Sequence, residues 1–514
     1  MKLAQYAEAW LRPEAIASII PLVITTILAI IYYGLQSSRS SVHLANPKGK
    51  LQLSKQGAKQ TFVSQANILL SDWFSAHPEK PIRFIGEIEE MTILPPSLAQ
   101  EIRSDKRLSF SGWSVKMFHG YLPGFEPFKV AADGTDLLHG LANWGDTTDT
   151  ITDPLVEETA LTLKELFTDN TDWHSIPMRD MMLQLVTRIS SRVFLGTDLC
   201  RNETWLRISR DYTVRAFSAA EDLRMWPAFI RPLVSLFLPN CRKMRQEVKE
   251  ARSIIENTMD RRRVEAKKLA AAGQDAPVYD DALQWFENGA LAKGISCDHT
   301  ALQLSISVGA IHTTTDLLSQ VLMRISQNLE ILDPLRQEIG SVLREDGWSK
   351  TSLVKMKLLD SVVKESQRMK PSDVVSMMRL VTEDMTLSDG TFISKNTGVG
   401  VSSHRMWDPS VYPNPDQWDG YRFYNLRQEP GKQNTAQLVS TSPDYLAFGH
   451  GQHACPGRFF ASNEIKIALV EIIMKYDFEL EEDASPQVYK HGFTLVGDPL
   501  LKLRIRRREG ETVF

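Results

Sequence analysis

Residues 448–461 read FGHGQHACPGRFFA, and within them Phe448, Gly451, Cys455 and Gly457 are spaced F-x-x-G-x-x-x-C-x-G. Glycines before and after a cysteine allow a tight loop whose backbone N–H groups approach the sulfur. The helix expected to follow, near NEIKIALVEIIMKYDF, turns the positive end of its dipole toward the same place and favours negative charge there. A lone cysteine is otherwise a small buried apolar residue, and its reactivity depends on surroundings that stabilise the thiolate. Cys455 is therefore the candidate metal-ligating thiolate.

Outward from this loop the period of the apolar residues changes twice. VVSMMRLV (374–381) alternates as a strand, and MTLS-DG-TFIS (385–394) reads as a hairpin turning at Asp389-Gly390. Upstream, LVEETALTLKELF, MRDMMLQLVTRISSRVFLG and MRQEVKEARSIIENTMDRRRVEAKKLAAAG carry apolar positions at helical spacing, as does a long run beginning at a candidate N-cap, Asp298. GQDAPVYDDA (273–282) is the clearest interior loop, and LLKLRIRRRE closes the chain as a strand with a basic end. The fold class expected is mainly α with minor β.

The chain has 514 residues, 43% of them apolar, and a formal charge of −4. That is enough to bury a large core without disulfides, and it supplies no basic field to gather nucleic acid. Cys200, Cys241, Cys297 and Cys455 match neither a zinc ribbon nor a disulfide framework, which suits a reducing compartment. Ala15 to Leu35 carries no charge and as a helix would be about 31 Å long, enough to cross a bilayer. Arg39, Lys48, Lys50, Lys55 and Lys59 follow it, so the bulk of the protein is expected on the cytosolic side. This gives an anchor over 1–35, a polar tether over 36–60 and one catalytic domain over 61–514. WPAFIRPLVSLFLP (226–239) suits either a loop dipping into the membrane surface or a plain buried loop.

The cysteine loop resembles that of the cytochrome P-450 family, and the likeness is good from about residue 160 to 510. It implies that fold, haem b with Cys455 as axial ligand, and a ligand that pushes electron density to favour O–O cleavage, the role known for cysteine in this very family. In the same comparison His453 and Arg379 become candidate partners of the haem propionates, although a strand arginine equally often faces solvent. Arg458 is either a propionate neighbour or a solvated cation. Glu365 and Arg368, an E-x-x-R on one helix face in SVVKESQRMKP, together with Arg422 in WDGYRF, resemble the network that supports the thiolate loop. Gly309-Ala310-Ile311-His312-Thr313-Thr314 resembles the oxygen-binding segment, where small residues leave room and Thr313 orients a proton-bearing water.

Two departures stand out. His312 occupies the place of the usual acid, and either relays protons or packs on a neighbour. Trp144 has no arginine four residues on, so the usual W-x-x-x-R propionate contact is missing. AIHTTTD resembles fungal terpenoid oxygenases, including kaurene oxidases and indole-diterpene and meroterpenoid enzymes. The resemblance thus implies a single-pass endoplasmic-reticulum monooxygenase acting on a lipophilic terpenoid-like substrate. Its electrons come from NADPH through a separate NADPH-cytochrome P-450 reductase, because no dinucleotide-binding glycine motif occurs here. The alternatives are a haem-thiolate isomerase or peroxide-rearranging enzyme, and a non-catalytic haem or sterol carrier.

Overall fold

The computed structural model describes residues 24–25, 41–49, 54–133, 151–275 and 277–509. The expected span at 15–35 lies outside the described residues apart from Ile24 and Thr25, and Trp144 lies outside them too. Among the described residues no helix is long and apolar enough to cross a membrane.

The principal helices are α1 (Gln56–Ala76), α2 (Thr152–Phe167), α3 (Met178–Leu199), α4 (Glu203–Arg224), α5 (Pro239–Ala271), α6 (Ala282–Lys293), α7 (His299–Ser326), α8 (Leu332–Asp346), α9 (Lys357–Met369) and α10 (Arg458–Lys475). Asp298 caps α7 by accepting the Ala301 N–H, as its place in the sequence suggests. α7 packs on α3, α4, α5 and α9, so one long helix crosses the centre of the largest apolar cluster. Its buried positions wrap most of its circumference, as expected for a helix surrounded by others.

The strands form smaller layers. Ile82–Ile85 (β1), Glu90–Leu94 (β2), Leu108–Ser109 (β3), Val375–Val381 (β5) and Gly398–Ser402 (β8) make a sheet in the order β1-β2-β8-β5-β3. Within it β2 and β8 run parallel and the other neighbours antiparallel. His174–Pro177 (β4), Tyr476–Leu480 (β9) and Lys502–Arg507 (β12) form a second sheet centred on β12. Met385–Thr386 (β6) pairs with Phe392–Ile393 (β7), and Val488–His491 (β10) with Thr494–Gly497 (β11).

Two expectations change in detail. The β6–β7 turn has three residues, Ser388 to Gly390, because the Leu387 N–H bonds the Thr391 carbonyl and Gly390 takes a positive φ of 85°. Such a turn needs a left-handed residue at its end, and glycine provides it without strain. The polar stretch 36–60 is not all tether, for α1 already begins at Gln56. Asn46 is 3% exposed; its amide donates to the Ala58 and Ile85 carbonyls, and its oxygen accepts the Ile85 N–H at 2.8 Å. One side chain thus supplies ladder bonds to the edge of β1, so polarity here marks a docked edge.

Candidate active site

The cysteine loop is closed by its own backbone. The Cys455 N–H donates to the Phe448 carbonyl at 2.7 Å, and Gly449 and Gly451 take φ of 71° and 81° inside the ring so formed. A Cβ on Gly451 would lie 2.4 Å from Arg103 Cβ, so that glycine meets both a conformational and a steric demand. Gly451–His453 makes a 3-10 turn, and Gly457 is the N-cap of α10. Burial pushes the Cys455 thiol up, opposed by the N–H groups of Gly457 and Arg458 and by the Arg458 guanidinium. The Gly457 and Arg458 N–H groups thus favour the thiolate, while its full ionisation against the effect of burial calls for a bound metal cation. Arg458 has a role that the sequence left open: Nη1 donates to the Cys455 carbonyl at 2.8 Å and Nε to the Val439 carbonyl at 3.2 Å. It clamps the loop through its carbonyls.

Glu365, Arg368 and Arg422 come together. Arg368 donates to both Glu365 oxygens at 2.8 and 2.9 Å, and Arg422 Nε to Glu365 Oε1 at 3.1 Å. Glu365 and Arg368 are wholly buried. The remaining guanidinium hydrogens reach the carbonyls of Met406 and Pro415 from Arg368, and of Pro413, Asn414 and Gln417 from Arg422. One carboxylate thus serves two guanidinium groups whose remaining hydrogens are taken by carbonyls, and the segment from 406 to 417 is fixed by them. Sequence reasoning missed a second buried set on the same helix. Asp360 pairs with Lys466 Nζ at 2.5 Å and accepts the Leu438 N–H at 2.9 Å. Burial alone would raise its carboxyl, yet Lys466 and Arg427 hold it below the usual range. Lys364 reaches the Gln437 carbonyl at 2.6 Å. The available signal was charge recurring on the face of α9 that should be apolar.

The candidate residues of the oxygen-binding segment lie on α7. Gly309 and Thr313 are exposed although the helix is otherwise interior, and a Cβ added to Gly309 would meet nothing within 4 Å. The Thr313 hydroxyl donates to the Gly309 carbonyl at 2.8 Å, leaving its oxygen lone pairs toward the open side. Thr314 is buried, off that face. His312 also departs from it: Nε2 donates to the Arg210 carbonyl of α4 at 3.0 Å, and burial lowers the ring's pKa. A relay through His312 is thus not aimed at Thr313, because the ring is spent on holding α4.

Arg379 on β5 is 6% exposed; it donates to the Met378 carbonyl at 2.6 Å and lies over Phe110, and burial lowers its pKa to about 10. No carboxylate among the described residues pairs with it. A buried guanidinium without a counter-ion fits an anionic group supplied from outside the chain, as a haem propionate would be. His453 stands half-buried two residues before the cysteine. The donor set therefore suits haem: a cysteine that nearby N–H groups favour as thiolate, a buried cation for a carboxylate and a helix that leaves Gly309 and Thr313 exposed.

The family model described as Cytochrome P450 matches residues 147–503. The chain is 45% identical to the cytochrome P450 monooxygenase hepE of Aspergillus oryzae over 95% of its own length and 89% of that protein's. It is 46% identical to cytochrome P450 monooxygenase 1 of Gibberella fujikuroi, covering 84% of this chain and 99% of the other. For the monooxygenase TRI1 of Fusarium sporotrichioides the identity is 44%, over 91% and 86%. The crystal structure of the cytochrome P450DA heme domain superposes with a TM-score of 0.68 at 17% identity, covering 91% of this chain and 98% of that one, a likeness of fold. By loop, fold and relatives, this chain belongs to the cytochrome P450 family of haem-dependent monooxygenases.

Proposed function

We propose that this monooxygenase oxidises a lipophilic secondary-metabolite precursor of terpenoid or meroterpenoid type at a membrane surface, fed with NADPH electrons by a separate reductase. Bound haem supplies the activation of O2, with the thiolate favouring O–O cleavage. The chain's own residues do the rest. Cys455 holds the iron, Arg379 and His453 hold the propionates, the Glu365 network keeps the loop in place, and Thr313 presents a hydroxyl that orients a proton donor on the oxygen side. The observation that carries this reading is the cysteine loop itself, closed by the Cys455 N–H on the Phe448 carbonyl with Gly449 and Gly451 at positive φ, beside an α7 that leaves Gly309 and Thr313 exposed on one stripe.

Membrane contact is supported by the segment after α4. Phe229 is 85% exposed, and Met225, Leu233, Leu236 and Phe237 are half or more exposed, a local concentration of exposed apolar side chains of the kind that marks contact with a membrane or partner. That favours the membrane-dipping reading of 226–239 over a buried loop. The uncharged stretch 15–35 supports a single-pass anchor at the endoplasmic reticulum with the catalytic domain in the cytosol.

The test is the reduced carbon-monoxide difference spectrum of the membrane-expressed full chain beside Cys455→His. A thiolate-type Soret band is expected in the first and absent from the second. Diterpene and meroterpenoid feeding with NADPH and reductase then follows. A wild-type protein that binds haem without that band would defeat the proposal.

A further inference from the structure

Monooxygenation consumes protons as well as electrons: substrate, O2, NADPH and H+ give hydroxylated product, water and NADP+. The protons must reach a buried site, and His312 is turned away from it toward the Arg210 carbonyl. The next carboxylate along α7 is Asp316. Gly309, Thr313 and Asp316 are spaced by four and three residues and so share one stripe of the helix. Asp316 is fixed from two other elements: Lys370, at the end of α9, pairs with Oδ2, and the Gly497 N–H of β11 donates to Oδ1 at 3.2 Å.

Asp316 also lines a small pocket with Arg179, Ser319, Gln320, Asp498 and the apolar Met178 and Leu501, with room for about one water. Arg179 and Asp498 are half-buried groups at its rim. Ser319 is 6% exposed and its hydroxyl has no hydrogen-bond partner among the described residues. A water in that space, with the Asp316, Gln320 and Asp498 side chains also on its lining, satisfies the Ser319 hydroxyl. Carboxylate, pocket and unsatisfied donor thus coincide one turn beyond Thr313.

We infer that Asp316 passes protons from this pocket to the Thr313 side of the active site, one helical turn from the position that His312 occupies. This rests on the monooxygenase reading above. Each proton that leaves the Asp316 carboxyl toward Thr313 is replaced by one from the pocket water, which takes one from bulk solvent in turn, so the residue and the water end the cycle unchanged and no protein group is oxidised or reduced. Asp316 is a positioning residue, acting through Thr313 and intervening water. The charged groups around it are Lys370 from α9, Asp373 beyond it, Arg179 from α3 and Asp498 after β11.

The test uses the full-length holoenzyme with its reductase and compares Asp316→Asn, Asp316→Glu and Ser319→Val. Four readings are taken: the thiolate-type carbon-monoxide band, its rate of formation on reduction, NADPH oxidation across pH and in D2O, and cumene-hydroperoxide-driven oxidation of tetramethylphenylenediamine. The first two need no delivered proton. Asp316→Asn is expected to slow NADPH oxidation at least 10-fold, the low end of general acid effects. It should also change the pH profile and solvent isotope effect, with the band, its rate of formation and the hydroperoxide reaction kept. Asp316→Glu should recover to within about threefold of wild type by the same acid–base reasoning. Ser319→Val fills the pocket and leaves the Lys370 pair intact, so it should slow NADPH oxidation several-fold and keeps the proposal testable if Asp316→Asn fails to fold. Normal turnover in Ser319→Val, or equal losses in the NADPH and hydroperoxide reactions of Asp316→Asn, would overturn the relay while leaving the monooxygenase reading intact. A wild type without the band would defeat both.

Discussion

At the scale of single residues, Glu365 carries more than its E-x-x-R spacing conveys. On an exposed helix such a pair is worth under about 1 kcal/mol, but here Glu365 and Arg368 are wholly buried and Arg422 is 11% exposed. Truncating Glu365 leaves two guanidinium groups facing each other without a counter-charge, at a cost of about 3–5 kcal/mol. Glu365→Ala is therefore expected to lose haem, read as a fall in the haem-to-protein absorbance ratio together with a lower melting temperature. Arg422→Ala should be milder, since that side chain touches solvent. If Glu365→Ala kept full haem occupancy and only turned over more slowly, the supporting role would be wrong. The sequence displayed this trio because all three are chemically marked side chains at recognisable spacings. Their partners at Met406, Pro413, Asn414, Pro415 and Gln417 are backbone carbonyls, which every residue type carries, and no reading of side chains could single them out.

At the scale of elements, periodicity located the helices and strands well where one face is buried, as in α2, α3, α7 and β5. It located them poorly where a side chain replaces backbone bonding, as Asn46 does at the edge of β1. It was also silent on direction. Nothing in AIHTTTD says that the His312 ring bonds α4 while Thr313 faces the open side, since neighbouring helix positions are only about 100° apart and packing decides which turns inward. Long-range joints were equally hidden. α3 is bent at Gly196, whose φ is 67°, and a Cβ there would come 2.6 Å from Asp281 Oδ2. That carboxylate is the N-cap of α6, accepting the Gln284 N–H, and the partner of buried Arg262 on α5 at 2.6 Å. Gly196→Ala thus strains the bend and displaces the group joining three helices. The expected loss is about 1–3 kcal/mol for the backbone alone, more with the displaced carboxylate, read by thermal melting. Asp281→Asn, which keeps the shape and weakens the cap, should cost less; an unchanged melting temperature in Gly196→Ala would show that the bend is not needed.

At the scale of the whole molecule, buried titratable groups set opposed pH dependences. His119 and His404 are lowered to about 4, each chiefly by burial, and His312 and His299 are lowered for the same reason. In the unfolded chain the His119 and His404 rings bind protons from about pH 6.5 downward, whereas in the folded chain they refuse them until about pH 4, so stability falls as pH drops through that window. At pH 5.5 the cost is on the order of 1.4 kcal/mol for each of the two deepest-shifted rings. Glu464 works the other way. It is fully buried, accepts the Ser190 hydroxyl at 2.5 Å, has its second oxygen unpartnered, and is raised to about 8 by burial. The folded chain keeps this proton while the unfolded chain releases it near pH 4.5, so stability drains away between pH 4.5 and 8 as pH rises. Acidification from pH 7.5 to 5.5 therefore returns a few kcal/mol through Glu464, of the same order as the two histidines withdraw. Wild type should have a nearly level melting temperature over that interval and a steep fall below pH 5. Glu464→Gln, which cannot ionise, should melt higher than wild type at pH 7.5 and converge on it toward pH 5, uncovering the histidine slope. Melting curves of the detergent-solubilised full chain, followed by haem absorbance, separate the contributions, because the difference between the two proteins isolates Glu464 from every other titrating group. A difference that stayed constant from pH 7.5 to 5 would mean that Glu464 is already ionised in the fold, held by a partner other than Ser190.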